Sequence, residues 1–260
     1  MHQLIFSGHT GQHPLLVTDE GNLRSLRFGT DERQSCIDLL APWELQLAYT
    51  QWMTTALLLY PGPERFLLFG LGGGALPHFL VHHHPRAQVD VVEKEAQVIA
   101  LAHDYFRLPR SETLRIIHQA AEGFVRSQET AAYHIAFVDI FGPGAMAPAL
   151  FSPGLYEAIL DRLTPEGVMA INLWDGDQQL YHQALEAVRE GSGGRVLQMQ
   201  VKRRSNVILL VFADEIPQGR IKAAQRQLPL YQQRYGLDYA LFLKRLRRTN
   251  RPSLLRALFP

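Results

Sequence analysis

Apolar positions fall into three regimes along the chain. Over the first forty residues they alternate with polar ones at a two-residue period. Leu4-Ile5-Phe6, Leu15-Leu16-Val17-Thr18 and Leu23-Arg24-Ser25-Leu26-Arg27-Phe28 read as strands, with Asp19-Glu20-Gly21-Asn22 as a hairpin turn. So small a sheet is not stable alone and is expected to pack on the main domain or on another subunit. From Pro42 to Tyr60 the spacing becomes helical, with Leu45, Leu47, Ala48, Trp52, Met53 and Leu57 on the buried side. Pro42 suits a helix start, and Pro61-Gly62-Pro63 stops the helix. Beyond it, short apolar runs alternate with helical segments. Strands are predicted at 66–70, 89–93, 114–117, 134–139 and 167–173, and helices near 75–83, 95–105, 120–128, 153–163 and 177–190. That order predicts a parallel sheet covered by helices on both faces. Arg195–Val201 and Asn206–Phe212, joined by the basic turn Lys202-Arg203-Arg204-Ser205, are expected to form an antiparallel hairpin at one sheet edge.

The segment 217–260 is helical and increasingly basic, with Lys244, Arg245, Arg247, Arg248, Arg251 and Arg256 close together. Clusters of this kind can bind nucleic acid. No aromatics are interleaved with the charges as a base-stacking surface requires. The favoured reading is therefore a solvated helix face, with Leu241, Phe242, Leu246, Leu254, Leu255 and Leu258 packed inward. Three regions result: 1–60, a β region and linking helix; 61–213, the α/β domain; and 214–260, the basic helical segment. The chain's 260 residues, 47% hydrophobic and 20% charged, suit a globular protein with an ample core. A net charge of +1 gives no general attraction to nucleic acid or anionic lipid. The single cysteine, Cys36, excludes an intrachain disulfide and a cysteine metal cluster, and fits a reducing cytoplasm. Thr54–Tyr60 is apolar but too short to cross a membrane, so no membrane partner is expected.

The chemistry concentrates where the first main-domain strand ends, at Gly70-Leu71-Gly72-Gly73-Gly74. Glycines let the chain turn sharply and let a ligand approach the backbone, and the following helix aims free N–H groups at the same place. The next strand ends in Glu93, placed to accept hydrogen bonds from the two hydroxyls of a ribose. A bound nucleoside is the reading this order supports; the plain alternative is a crossover whose glycines only permit close packing. Asp139 ends a later strand, where open α/β sheets place their sites. Asn172-Leu173-Trp174-Asp175-Gly176-Asp177 ends the next, so Trp174 and Asp175 are placed to line an acceptor pocket, while Asp177 suits a helix N-cap. His82-His83-His84 ends a helix with side chains pointing in different directions, which reads as structural, not as a metal site.

Taken together these residues resemble the spermidine synthase (polyamine aminopropyltransferase) family from about residue 15 to 213. The match runs through Arg33-Gln34-Ser35, Leu47-Ala48-Tyr49-Thr50-Gln51, Leu68-Phe69-Gly70-Leu71-Gly72-Gly73-Gly74 and Val91-Val92-Glu93-Lys94-Glu95. It continues through Phe137-Val138-Asp139, the stretch from Leu150 to Tyr156 and the one from Leu163 to Val168. The resemblance implies a Rossmann-like class I S-adenosylmethionine-dependent methyltransferase fold with a small N-terminal β domain, and a homodimer. It implies no metal, and a donor that is S-adenosylmethionine or decarboxylated S-adenosylmethionine. The donor would be held by Gly70, Gly72, Gly73, Gly74, Glu93 and Gln34, with Asp139 catalytic and Tyr49, Gln51 and Asp175 around a small-molecule acceptor.

The sequence departs from the family where a diamine would need acids. Gly73 stands where the glycine loop carries an Asp, and Tyr49-Thr50-Gln51 where a helix carries Tyr-His-Glu. Gly142 in Asp139-Ile140-Phe141-Gly142-Pro143 replaces the second Asp of an Asp-Ser-x-Asp-Pro loop, and Ala120 replaces the Asp that meets adenine, with Glu122 nearby as a substitute. Removing one partner of a desolvated charge pair costs about 2–5 kcal/mol, and several are missing together. The expectation is a transferase whose acceptor is not putrescine. A polyamine aminopropyltransferase with relocated acids, and a noncatalytic nucleoside-binding or interaction protein, remain as alternatives.

Overall fold

The computed structural model describes residues 3–11, 13–29, 32–127, 132–142 and 145–251. Leu254, Leu255, Arg256 and Leu258, expected to extend the last helix, lie outside the described residues, as does Pro143.

The chain opens with an antiparallel sheet in sequential order: β1 (Gln3–Thr10), β2 (His13–Glu20), β3 (Leu23–Arg27) and β4 (Ser35–Asp38). The fourth strand went unpredicted because Ser35-Cys36-Ile37-Asp38 is too short to show alternation. Gly21, in the left-handed region, closes the predicted β2–β3 hairpin. The inward positions Leu15, Val17, Leu26 and Ile37 join the same core cluster as the main domain, so the small sheet is stabilised in cis. Arg24, paired with Asp19, also donates to the Tyr105 carbonyl (2.8 Å), and Arg107 donates to the Leu39 carbonyl (2.7 Å).

The expected helix over 42–60 is corrected to two short ones, α1 (Ala48–Met53) and α2 (Ala56–Leu59), and Pro42 lies in a turn before them. The Thr54 and Thr55 hydroxyls donate to the Gln51 and Trp52 carbonyls (2.6 and 2.7 Å), a local alternative that competes with a continuous helix.

The main domain follows as β5 (Arg65–Phe69), α3 (Ala75–His83), β6 (Gln88–Glu93), α4 (Ala96–Asp104), β7 (Leu114–His118), α5 (Ala121–Arg126) and β8 (Tyr133–Val138). A two-residue pair, β9 (Phe141–Gly142) and β10 (Ala145–Met146), leads to α6 (Pro153–Leu160), β11 (Leu163–Trp174) and α7 (Gln178–Gly191). The closing strands are β12 (Val196–Gln200) and β13 (Asn206–Phe212). The sheet order is β12-β13-β11-β8-β5-β6-β7, and β13 runs antiparallel to both neighbours, as the hairpin expectation requires. One face packs on α5, α6 and α7. The other packs on α3, α4, the short helices and the C-terminal pair α8 (Gln218–Tyr235) and α9 (Tyr239–Thr249). Gly236, left-handed, ends α8, and Asp238 caps α9 by accepting from the Leu241 N–H (3.0 Å). No helix among the described residues is long and apolar enough to cross a membrane.

Candidate active site

Alternation along the strands fixes which side chains meet. Phe66-Leu68-Gly70, Val89-Val91-Glu93, Ile135-Phe137-Asp139 and Val168-Ala170-Asn172 are period-two series on one sheet face, and their apolar members all belong to one core cluster. Each ends at or near the carboxyl end of a parallel strand. On the same face Asn206 begins β13, whose continuation Ile208 and Leu210 enters that cluster as well. One apolar face therefore turns polar along a single edge, where the crevice of an open α/β sheet lies.

Three of the four glycines of the turn have left-handed backbones: Gly70 (φ 95°), Gly72 (φ 53°) and Gly74 (φ 76°), the last capping α3. A Cβ on Gly70 would sit 2.1 Å from the Asp139 carbonyl oxygen, so only glycine lets these two strand ends meet. A Cβ on Gly72 would touch Ser35 at 3.2 Å, which places the start of β4 over the turn. Gly73 faces inward, where a Cβ would lie 2.6 Å from the buried Phe106 ring.

Glu93 is buried and points at the turn. One carboxylate oxygen accepts from the Leu71 N–H (3.0 Å) and the other from the Glu95 N–H (2.9 Å). Burial pushes its carboxyl above the usual range, and these backbone donors pull it partly back. The Lys94 N–H adds a third backbone donor, and the carboxylate keeps acceptor capacity for a further one.

Asp139 is partly exposed at the crevice yet closely surrounded by protein. Its Oδ1 accepts from Asn172 Nδ2 (3.0 Å), and Asn172 Oδ1 accepts from Asn206 Nδ2 (3.0 Å). Burial pushes the Asp139 carboxyl up to about 6, against the opposing pull of Asn172 and of the Tyr49 hydroxyl. Tyr49 donates to the Gln34 carbonyl (3.0 Å) and lies in hydrogen-bonding contact with Asp139. A phenol has one proton, so Tyr49 divides it between the Gln34 carbonyl and the Asp139 carboxylate, and the share given to Asp139 favours its ionised form. Burial first, and then the Asp139 charge, pushes the Tyr49 phenol well above its ordinary range.

The structure thus gathers Gly70, Gly72, Gly74, Glu93, Gln34, Tyr49 and Asp139 around one edge. Gln51 instead donates to the Leu45 carbonyl (2.6 Å), bracing the loop before α1. Asp175 is held through its N–H by the Ser205 carbonyl (2.7 Å), and its charge acts on Tyr181 of α7. Asp177 caps α7 by accepting from the Leu180 N–H (3.1 Å). Ala120 precedes α5, with Glu122 in that helix's first turn. Asn172 and Asn206 were not anticipated as site residues. Their signal was present: Asn172 is a lone amide inside the apolar run Val168–Leu173, and it is 2% exposed.

The histidine tract is structural in its contacts. Burial pushes His84 down to about 3 where it meets Tyr235, and His82 stacks on Trp43. Among the described residues no group of three or more His, Cys, Asp or Glu could hold a metal ion. A cavity of about 680 Å³ lies away from the crevice, between α8 and α9, lined by Ile221, Lys222, Leu228, Lys244, Arg248 and other residues.

No family model matches the chain. A polyamine aminopropyltransferase of Chromobacterium violaceum is 30% identical over 238 residues, covering 91% of this chain and 90% of that protein. The crystal structure of a probable spermidine synthase from Corynebacterium glutamicum superposes with a TM-score of 0.69 at 19% identity, over 86% of each chain. Human methyltransferase-like protein 13, in complex with SAH, superposes with a TM-score of 0.58 at 21% identity, over 72% of this chain and 89% of that one.

Proposed function

The chain belongs to the polyamine aminopropyltransferase family, and from that premise we propose an alkyl transferase that acts on an acceptor other than putrescine. The family and fold support a transferase of the S-adenosylmethionine type; the donor is S-adenosylmethionine or its decarboxylated form. When bound, such a donor supplies an electrophilic carbon on a sulfonium sulfur. The residues present fit its adenosyl part. The left-handed glycines leave the turn open to close approach, α3 presents its N-terminus there, and the Glu93 carboxylate, aimed at the turn, keeps acceptor capacity for a ribose hydroxyl. Ser35 covers the turn from the small sheet, and the Gln34 carbonyl beside it accepts from Tyr49. Glu93, aimed at the glycine turn, is the observation that carries this reading.

Asp139 is the residue for proton transfer. Its raised pKa brings it close to the pH at which a general base works well. Tyr49, in contact with Asp139, borders the acceptor side, whereas Asp175 acts on Tyr181 of α7. By analogy with the family the chain works as a homodimer. The relative's name supports a second reading, aminopropyl transfer to a diamine with acids drawn from other positions.

Calorimetry with S-adenosylmethionine, its decarboxylated form and methylthioadenosine tests the first reading. At least one is expected to bind below millimolar concentration, and Glu93→Ala to weaken it by roughly tenfold or more. Absence of binding by all three at millimolar concentration overturns the reading. Brisk spermidine formation from putrescine favours the second reading over the first.

A further inference from the structure

We propose that the Asn206–Asn172 amide pair holds Asp139 in place to take the proton of an acceptor that carries one amine, not two. This rests on the transferase reading and adds both the acceptor's class and the residues that position the base.

The positioning follows from donor direction. Asn172 is buried in β11 and gives its N–H to Asp139 Oδ1. Turned over, the amide would set its oxygen against a carboxylate and its nitrogen against the Asn206 nitrogen. The carboxylate disfavours that orientation, and Asn206, reaching across from β13, matches the remaining one by donating to the Asn172 oxygen. Two strands therefore lock one hydrogen bond onto one carboxylate oxygen. No charge is spent in doing so.

The acceptor's class follows from counting charges. The side chains in contact with Asp139 are Asn172 from β11 and Tyr49 from α1, with Asn206 behind Asn172, and all three are neutral amides or a phenol. Gly70 packs against the Asp139 backbone without a side chain. Both oxygens of Glu93 accept from the backbone of the glycine turn and its flank. Asp175 acts on Tyr181, in α7. Among the described residues one ammonium finds one carboxylate here, whereas a second ammonium enters a crevice of amides and pays its desolvation without a counter-charge.

The chemistry balances within that inventory. The ammonium first gives its extra proton to Asp139. The freed nitrogen lone pair then attacks the donor carbon; the N–C bond forms, the C–S bond breaks and its electron pair stays on sulfur, leaving a neutral thioether. The alkylated nitrogen keeps its positive charge and leaves as an ammonium, and Asp139 returns the one proton released to solvent through the partly exposed crevice.

Two measurements test this on the full chain. The first compares butylamine with 1,4-diaminobutane under each sulfonium donor, following alkylated amine and released thioether by mass spectrometry. Butylamine is expected to exceed the diamine in kcat/KM by about thirtyfold or more, the equivalent of about 2 kcal/mol. Equal or better use of the diamine overturns the acceptor class. So does donor binding without alkylation of any amine, which leaves the transferase reading standing for another nucleophile. Failure to bind either donor overturns that reading, and the acceptor class with it.

The second measurement needs no turnover. Carboxyl-labelled aspartate is titrated by carbon NMR, with the Asp139 resonance identified by its loss in Asp139→Asn. Asn172→Leu is expected to raise the Asp139 midpoint by about one unit, because a donor to the charged form is lost, and Asn206→Leu to raise it by less. The acid limb of kcat/KM should move with the midpoint, while donor affinity stays within about twofold. Asn206→Ser, which keeps a donor, should restore part of the shift. Midpoints unmoved in both leucine variants that keep a cooperative thermal transition overturn the positioning role.

Discussion

Ionised Asp139 works against its surroundings, and the cost should be visible in stability. Burial raises its pKa from 3.8 to about 6, so the native state holds this proton more tightly than the unfolded chain does. Stability on this account is highest below pH 4. It declines as pH rises from about 4 to about 6, and stays flat above that, where both states are ionised. Asp139→Asn keeps an acceptor oxygen for Asn172 and removes the charge. The variant is expected to be more stable than wild type above pH 6, by about 2 kcal/mol, with the gain vanishing near pH 4 while alkyl transfer is lost. Thermal unfolding at pH 4, 5, 6 and 7.5 checks this. A gain independent of pH would assign the effect to packing.

Among the elements, the glycine turn and α4 explain one departure from the family pattern. Position 73 does not have a left-handed backbone, so glycine is not required there by torsion. It is required by Phe106, which follows α4, is fully buried, and whose carbonyl is hydrogen-bonded by His78 (2.8 Å). Restoring an acid with Gly73→Asp is expected to lower stability by about 1–3 kcal/mol through overpacking. The penalty should shrink in a Phe106→Ala background, and a double-mutant cycle by denaturant unfolding measures the difference. This also marks what was legible in the sequence. The series Phe66-Leu68-Gly70, Val89-Val91-Glu93 and Ile135-Phe137-Asp139 are period-two patterns, and alternation alone puts their last members on one sheet face. Phe106 against Gly73 is a contact between segments thirty residues apart, which no local pattern encodes. The same holds for Asn206 beside Asn172, whose meeting depends on β13 entering the sheet between β11 and β12. The break at Thr54 and Thr55 depended on hydroxyl bonds to backbone that compete with a pattern otherwise well suited to one helix.

Across the whole molecule, charge and packing make opposite claims about the C-terminal segment. Residues 217–260 hold ten Lys or Arg and one Asp, which leaves the first 216 residues at −8 within a chain of net +1. Charge alone describes a detachable basic arm that binds polyanions in a salt-dependent way. Packing describes a wall of the fold. Tyr235, Tyr239, Phe242, Leu243 and Leu246 are buried in the cluster that also holds Phe66 and Leu68 of β5. The Tyr239 hydroxyl donates to Thr54 (3.0 Å) and that of Tyr231 to the Leu57 carbonyl (3.0 Å), so α8 and α9 brace the short helices that carry Tyr49. Five such side chains, at about 1.5–3 kcal/mol each, stabilise by about as much as a whole domain's net stability of 5–15 kcal/mol. Deleting residues 214–260 is therefore expected to abolish cooperative unfolding and to give insoluble or molten protein. Lys244→Glu with Arg248→Glu, both on the exposed face, should leave the transition within about 0.5 kcal/mol. Circular dichroism melts of the two variants decide between arm and wall. A truncated chain that melts cooperatively near the wild-type temperature would make the segment an appendage, and its charge would then be the property to explain.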